Sequence, residues 1–125
     1  MKKILFLVVL VTLLAQTGCG GASEVDNILS KAKKEGKTVM LELGSVGCIP
    51  CDQMRPVMEK LKKNYGGQLE VFFVDVRKDR ETAGRFGIYT IPTQVFIDKK
   101  GKEFSRHIGY FSYEEIVPVL RKSGL

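Results

Sequence analysis

This chain of 125 residues contains no tryptophan and only one histidine, and its three cysteines are an odd number. The shortage of histidine and cysteine argues against a metal centre. A tetrahedral zinc site takes four nitrogen or sulfur ligands. Beyond the pair Cys48 and Cys51, only Cys19 and His107 are left to complete one. No basic stripe interleaved with aromatics runs through the chain. The formal charge of +6 includes Lys2 and Lys3, and elsewhere both signs are interspersed, as in Lys31 to Glu35 and Asp75 to Glu81. That is the pattern of a solvated surface, and no nucleic-acid partner is expected. No apolar run is long enough to cross a bilayer comfortably; the Ile4 to Ala15 run is broken by Thr12. Internal repeats and low-complexity segments are also missing. What remains is one small domain, 44% hydrophobic and 27% charged, which is enough apolar material for a single core.

The first residues read as an export signal. Met1-Lys2-Lys3 is a short positive segment, Ile4 to Ala15 is the apolar stretch, and small residues follow. Leu14-Ala15-Gln16-Thr17-Gly18-Cys19 resembles a bacterial lipoprotein signal, in which a small residue precedes a cysteine that is lipidated and becomes the new N-terminus. Gln16 departs from the leucine usual there. The alternative is ordinary cleavage after Ala22, with Gly20 at the minus-three position. The expected organisation is a lipoprotein-type signal peptide over residues 1–18, a tether over 19–23 with lipid on Cys19, and one domain over 24–125. Export would take the domain to a compartment where disulfides persist. Lipid on Cys19 would also resolve the odd count, leaving Cys48 and Cys51 as the only thiol pair.

Within the domain, Ser23 is placed to cap a helix from Glu24 to about Lys34, with Val25, Ile28, Leu29 and Ala32 on one face and Gly36 as its stop. Thr38 to Leu43 is a short apolar run with one charge, Glu42, and reads as a buried strand. A helix follows from about Pro50 to Asn64, with Met54, Val57, Met58 and Leu61 inward and Pro56 expected to kink it. Leu69 to Val76 reads as a strand, Asp79 to Phe86 as a short helix, and Thr93 to Asp98 and Glu103 to Ile108 as strands. Lys99-Lys100-Gly101 joins the last two as a tight hairpin. Ser112-Tyr113-Glu114-Glu115 is a capping box that opens a final helix through about Lys122, with Pro118 inside it. Strands separated by helices give a parallel part by the right-handed crossover rule, and the hairpin gives an antiparallel part. The expected fold class is α/β, with a four-stranded mixed sheet flanked by helices on both faces.

The chemistry concentrates in Gly47-Cys48-Ile49-Pro50-Cys51, at the junction of a strand and a helix. The spacing lets both sulfurs close a small disulfide ring. The first sulfur sits at a helix N-terminus, where free N–H groups and the helix dipole stabilise a thiolate. Pro50 pre-forms the first turn at a place where its missing N–H costs little. On these residues alone the pair is a redox centre, an inert disulfide or half of a zinc site.

The Cys pair after the first strand, Pro56 in the next helix and Ile91-Pro92-Thr93 before the late hairpin together resemble the thioredoxin superfamily, over about Lys31 to the C-terminus. The resemblance implies a thioredoxin fold and a thiol–disulfide oxidoreductase whose redox group is the Cys48–Cys51 pair, with no added cofactor or metal. It implies Cys48 as nucleophile and Cys51 as resolving thiol. It implies a cis bond before Pro92, with Ile91, Pro92, Ile49 and Pro50 facing the substrate. Beside it, Tyr89, Ile91, Tyr110 and Phe111 are read from the residues as an apolar rim for peptide docking, with core packing as the other reading. The resemblance implies that Glu42 stands where thioredoxins carry a buried acid that handles protons for the resolving cysteine; a solvated strand edge is the other reading of Glu42. His107 is expected at the surface. Two departures stand out: Gly44 and Gly47 occupy usual tryptophan positions, and Phe73 stands where a lysine is frequent near the acid.

The implied work is reducing or exchanging disulfides in exported proteins of the bacterial cell envelope, with cytochrome c maturation included by the same resemblance. The implied partners are disulfide-containing exported proteins and a membrane thiol reductase or oxidase. The implied setting is periplasmic or extracytoplasmic, lipid-anchored through Cys19, and the expected state is a monomer. Alternatives are a disulfide oxidase or isomerase of the same fold, or a non-catalytic module binding peptide or copper.

Overall fold

The structure, a computed structural model, describes residues 21–125. The signal over 1–18 and the lipid site at Cys19 lie outside the described residues. Helix α1 (Glu24–Lys34) is followed by β1 (Thr38–Gly44), α2 (Ile49–Tyr65), β2 (Leu69–Asp75), α3 (Arg80–Arg85), β3 (Thr93–Ile97), β4 (Glu103–Ile108) and α4 (Tyr113–Arg121). The strands form one sheet in the order β2-β1-β3-β4. β1 runs parallel to β2 and antiparallel to β3, and β3 is antiparallel to β4. This is the expected four-stranded mixed sheet.

Local chemistry sets most element ends. Ser23 Oγ accepts the Asp26 N–H at 3.1 Å, while the Asp26 carboxylate accepts from the Ser23 N–H, a reciprocal cap for α1. Ser112 and Glu115 make the same arrangement on α4. Asp79, expected as the first residue of α3, is its N-cap and accepts the Thr82 N–H at 2.9 Å. Pro56 and Pro118 lie inside α2 and α4 without ending either helix.

β1 is buried along its whole length because it is central and covered on both faces. Its odd-numbered residues, Val39, Leu41 and Leu43, pack with Val74, Val95 and Ile97 beneath α1. On the other face Met40, Val71 and Phe96 pack with Met54, Val57, Met58 and Leu61 of α2 and Ile116 and Leu120 of α4. Leu61 has no solvent exposure. Leu61→Ala is expected to lower stability by about 2–5 kcal/mol, read from urea unfolding, since a rigid two-layer core collapses only partly around the void.

One expectation is corrected here. Phe111, expected on the substrate rim, belongs to the core: it is 8% exposed and meets Phe96 edge-on at 6.3 Å between ring centroids. Its backbone N–H points at Met54 Sδ, 3.2 Å away. The turn after β4 directs this ring inward beneath α4, and His107 lies over it with centroids 3.8 Å apart.

Candidate active site

The C-terminal end of β1 delivers the chain to the cysteine pair. Ser45 to Gly47 form a short turn, and Cys48 is the N-cap of α2, with its Sγ accepting the Cys51 N–H at 3.4 Å. Pro50 lies in the first turn of the helix. Cys48 and Cys51 are joined in a disulfide, their Cα atoms 5.2 Å apart. The two sulfurs have unlike surroundings. Cys48 is half-buried, whereas Cys51 is buried at 5% exposure against β1.

Gly44 is the floor under Cys51. A Cβ added there would stand 3.0 Å from Cys51 Sγ and 3.2 Å from a Phe73 ring carbon. The disulfide holds that sulfur in place, so the neighbour cannot withdraw. Gly44→Ala is expected to destabilise the oxidised protein by about 1–3 kcal/mol through overpacking, and the reduced protein by less. Comparing thermal unfolding with and without a reductant checks this. Beside the same sulfur, a cleft of about 320 Å³ is lined by Ser45, Val46, Met58 and Phe73.

Ile91-Pro92 reaches the same end of the sheet, because Thr93 pairs with Leu43 of β1. The Ile91–Pro92 peptide bond is cis. Pro92 is buried, and its carbonyl accepts the Gly109 N–H at 2.8 Å. Around this end stand largely exposed apolar side chains: Tyr89 is 98% exposed, Ile49 74% and Val46 65%. Tyr110 and Ile108 are exposed as well. The structure thus brings together Cys48, Cys51, Ile49, Pro50, Ile91 and Pro92, with Tyr89 and Tyr110 on the rim and Phe111 removed from it.

Glu42 is fully buried, not at a solvated edge. It lies on the same face of β1 as Gly44, opposite Phe73 on β2 and Gln94 on β3. Neither carboxyl oxygen has a hydrogen-bond partner. Burial without a compensating charge penalises the carboxylate and pushes the group up to about 8, with Gln94 pulling in the other direction. Gln94 nonetheless makes no well-formed hydrogen bond to it; its Nε2 donates to the Gly109 carbonyl at 3.1 Å.

Gln94 and Ser45 were not singled out from the sequence. Both are buried and each has an unpaired oxygen. The signal for Gln94 was its alternation with Phe96 on an apolar strand, which puts an amide where a core residue belongs. Among the described residues, no cluster of three or more His, Cys, Asp or Glu side chains is arranged to hold a metal. His107 is half-buried, its Nε2 3.1 Å from the Tyr110 carbonyl oxygen.

A family model described as a thioredoxin-like domain matches residues 25–124. The thioredoxin of Bacillus subtilis (strain 168) is 30% identical over 97 residues, covering 78% of this chain and 91% of that protein. The thioredoxin of Listeria monocytogenes is 34% identical over 84 residues, covering 67% and 81%. The X-ray structure of Fasciola hepatica thioredoxin matches with a TM-score of 0.70 at 25% identity, over 79% of this chain and 90% of that one. A disulfide at C-x-x-C spacing on the first turn of a helix, set at the end of this sheet, agrees with those likenesses: the chain belongs to the thioredoxin-like family and is a thiol–disulfide oxidoreductase.

Proposed function

We propose that this protein reduces or exchanges disulfides in exported proteins of the bacterial cell envelope, held to a membrane by lipid on Cys19. The observation that carries the chemistry is the asymmetry of the pair: Cys48 half-buried at a helix N-cap, Cys51 buried behind it. In the reduced protein, the Cys48 thiolate attacks one sulfur of a substrate disulfide. A mixed disulfide forms and the other substrate sulfur leaves as a thiolate. Cys51, once deprotonated, attacks Cys48 Sγ. The Cys48–Cys51 disulfide closes, the second substrate thiolate departs, and two electrons have passed to the substrate. A membrane dithiol donor restores the pair.

Exposed Ile49 and Tyr89, with half-buried Pro50 and Ile91, surround the attack site, and the backbone at Ile91 offers an extended substrate segment a strand-like partner. Glu42 exchanges the proton of Cys51. When a reductant opens the disulfide at Cys48, the Cys51 thiolate takes the proton from neutral Glu42; when Cys51 must attack, the Glu42 carboxylate takes it back. No histidine lies between the cysteines to support the Cys48 thiolate, which favours the reducing direction. The signal-like segment up to Gly18-Cys19 supports export and anchoring.

A redox titration of the Cys48–Cys51 pair tests the direction. Family potentials run from about −270 to about −120 mV. A value near the reducing end, with insulin-disulfide reduction by the dithiol form, is expected. A value near the oxidising end makes the protein an oxidase or isomerase. Mass spectrometry of the mature N-terminus tests the anchor, and an unmodified start at Ser23 removes it.

A further inference from the structure

The proton role of Glu42 raises the question of what holds that proton in place, and the inference drawn here rests on that role. Two buried groups with unpaired oxygens are cross-strand neighbours. Glu42 of β1 is in register with Gln94 of β3. Both Glu42 oxygens and Gln94 Oε1 have no hydrogen-bond donor. Both residues have no solvent exposure, so water does not supply one at the surface. Unpaired acceptors on cross-strand neighbours in an apolar layer each cost a desolvation penalty. A single proton on Glu42 lowers that cost, because a carboxylic acid is a donor where a carboxylate is not.

We propose that Gln94 is a positioning residue that keeps Glu42 in its neutral form, with the Glu42 O–H donating to Gln94 Oε1 while Gln94 Nε2 stays tied to the Gly109 carbonyl. The tie engages one of the two N–H groups of the amide at 3.1 Å on Gly109, while Oε1 is left without a donor. Gly109 is itself anchored, its N–H donating to the Pro92 carbonyl at 2.8 Å. Gly109 has a φ of +96°, which other residues rarely adopt, and this turn lets its two amide groups point to different partners. One short chain of contacts therefore links the buried acid to the proline loop beside the cysteines.

No other group competes for the proton. From β2 the neighbour of Glu42 is Phe73, and the α2 and α4 side chains packed on this face, Met54, Val57, Met58, Leu61, Ile116 and Leu120, are all apolar. The titratable groups on the face are otherwise engaged. Cys51 is in the disulfide, Asp75 accepts from the Arg77 N–H, and Glu115 caps α4 through Ser112. His107, opposite Gln94 on β4, has its Nε2 against the Tyr110 carbonyl. No charged side chain contributes to the raised pKa of Glu42, whose causes are burial, which raises it, and Gln94, which lowers it.

The test follows the titration of Glu42 in the oxidised protein by carbon-13 NMR of its carboxyl group, in the parent and in Gln94→Met. If Gln94 accepts from the neutral acid, its loss destabilises the protonated form. The midpoint then falls by about one pH unit, the size of one neutral hydrogen bond. A rise, or no movement, overturns the proposal, because an amide that donates to the carboxylate would give a rise. Methionine is less polar than glutamine and by itself raises the midpoint, so a fall is the demanding outcome. Should Gln94→Met not fold, the parent protein answers alone. The Gln94 side-chain amide resonances should shift with the Glu42 midpoint and stay fixed in Glu42→Gln; resonances that do not move in the parent overturn the proposal. The proton role is judged separately, by the pH profile of disulfide reduction in Glu42→Gln. A profile unchanged from the parent sinks that role and leaves the Gln94 measurement standing.

Discussion

Cys48→Ser is expected to abolish disulfide reduction, a loss of about three orders of magnitude or more in an insulin-reduction assay. Cys51 is 5% exposed, behind Cys48 and against Gly44, so no substrate disulfide reaches it for a first attack. Cys48 holds the N-cap of α2, where unpaired N–H groups and the helix dipole favour a thiolate over the free thiol. A serine in its place carries no comparable nucleophile at neutral pH. Cys51→Ser is expected to fail differently. The first attack still occurs, and with no resolving sulfur the mixed disulfide accumulates on Cys48, visible by mass spectrometry after incubation with an oxidised substrate. Turnover retained in Cys48→Ser, or mixed disulfides trapped on Cys51 in the parent, would reverse the two roles.

Glu42→Gln should stabilise the oxidised protein strongly at about pH 9 and hardly at all near pH 4. Glu42 is a carboxyl group of ordinary value 4.5 that burial pushes up to about 8. Between those values the native state keeps a proton that the unfolded chain has released. Stability of the parent therefore falls as pH rises through this window, by about 1.4 kcal/mol per pH unit. Below the window both states are protonated and nothing is lost. Above it both are ionised and the penalty stays constant, at several kcal/mol in all. Glutamine is neutral throughout and has the same shape, so its advantage over the parent should grow across the window and then level off. Urea unfolding at three pH values measures it. A pH-independent difference between the two proteins would show that the folded and unfolded states release the Glu42 proton at the same pH, and would overturn the raised value.

Reading the chain in order recovers the parts of the fold that depend on near neighbours. Both serine caps act within one helical turn, between residues three apart, and both form as expected. The β3–β4 hairpin is equally local, closed by the Asp98 N–H on the Lys102 carbonyl at 2.8 Å. The alternation through Thr38 to Leu43 correctly sets Glu42 on the Met40 face. Whether that face is wet or dry is a different kind of question. It turns on α2 and α4 docking across it from far along the chain, and this left Glu42 open between a solvated edge and a buried acid. Phe111 shows the same limit: a lone aromatic after a strand has no periodicity to give its direction.

The cysteine pair, its helix N-terminus and the Ile91-Pro92 segment are properties of residue type and spacing, and these alone carry the redox chemistry and the family. Folding adds the properties that come from residues distant in sequence. It makes one sulfur reachable and the other not, by seating Cys51 on Gly44. It also buries Glu42 opposite Gln94 and Phe73 with no charge to balance it. Burial and cross-strand pairing are collective, since they depend on which surfaces close over one another, and no local pattern encodes that closure.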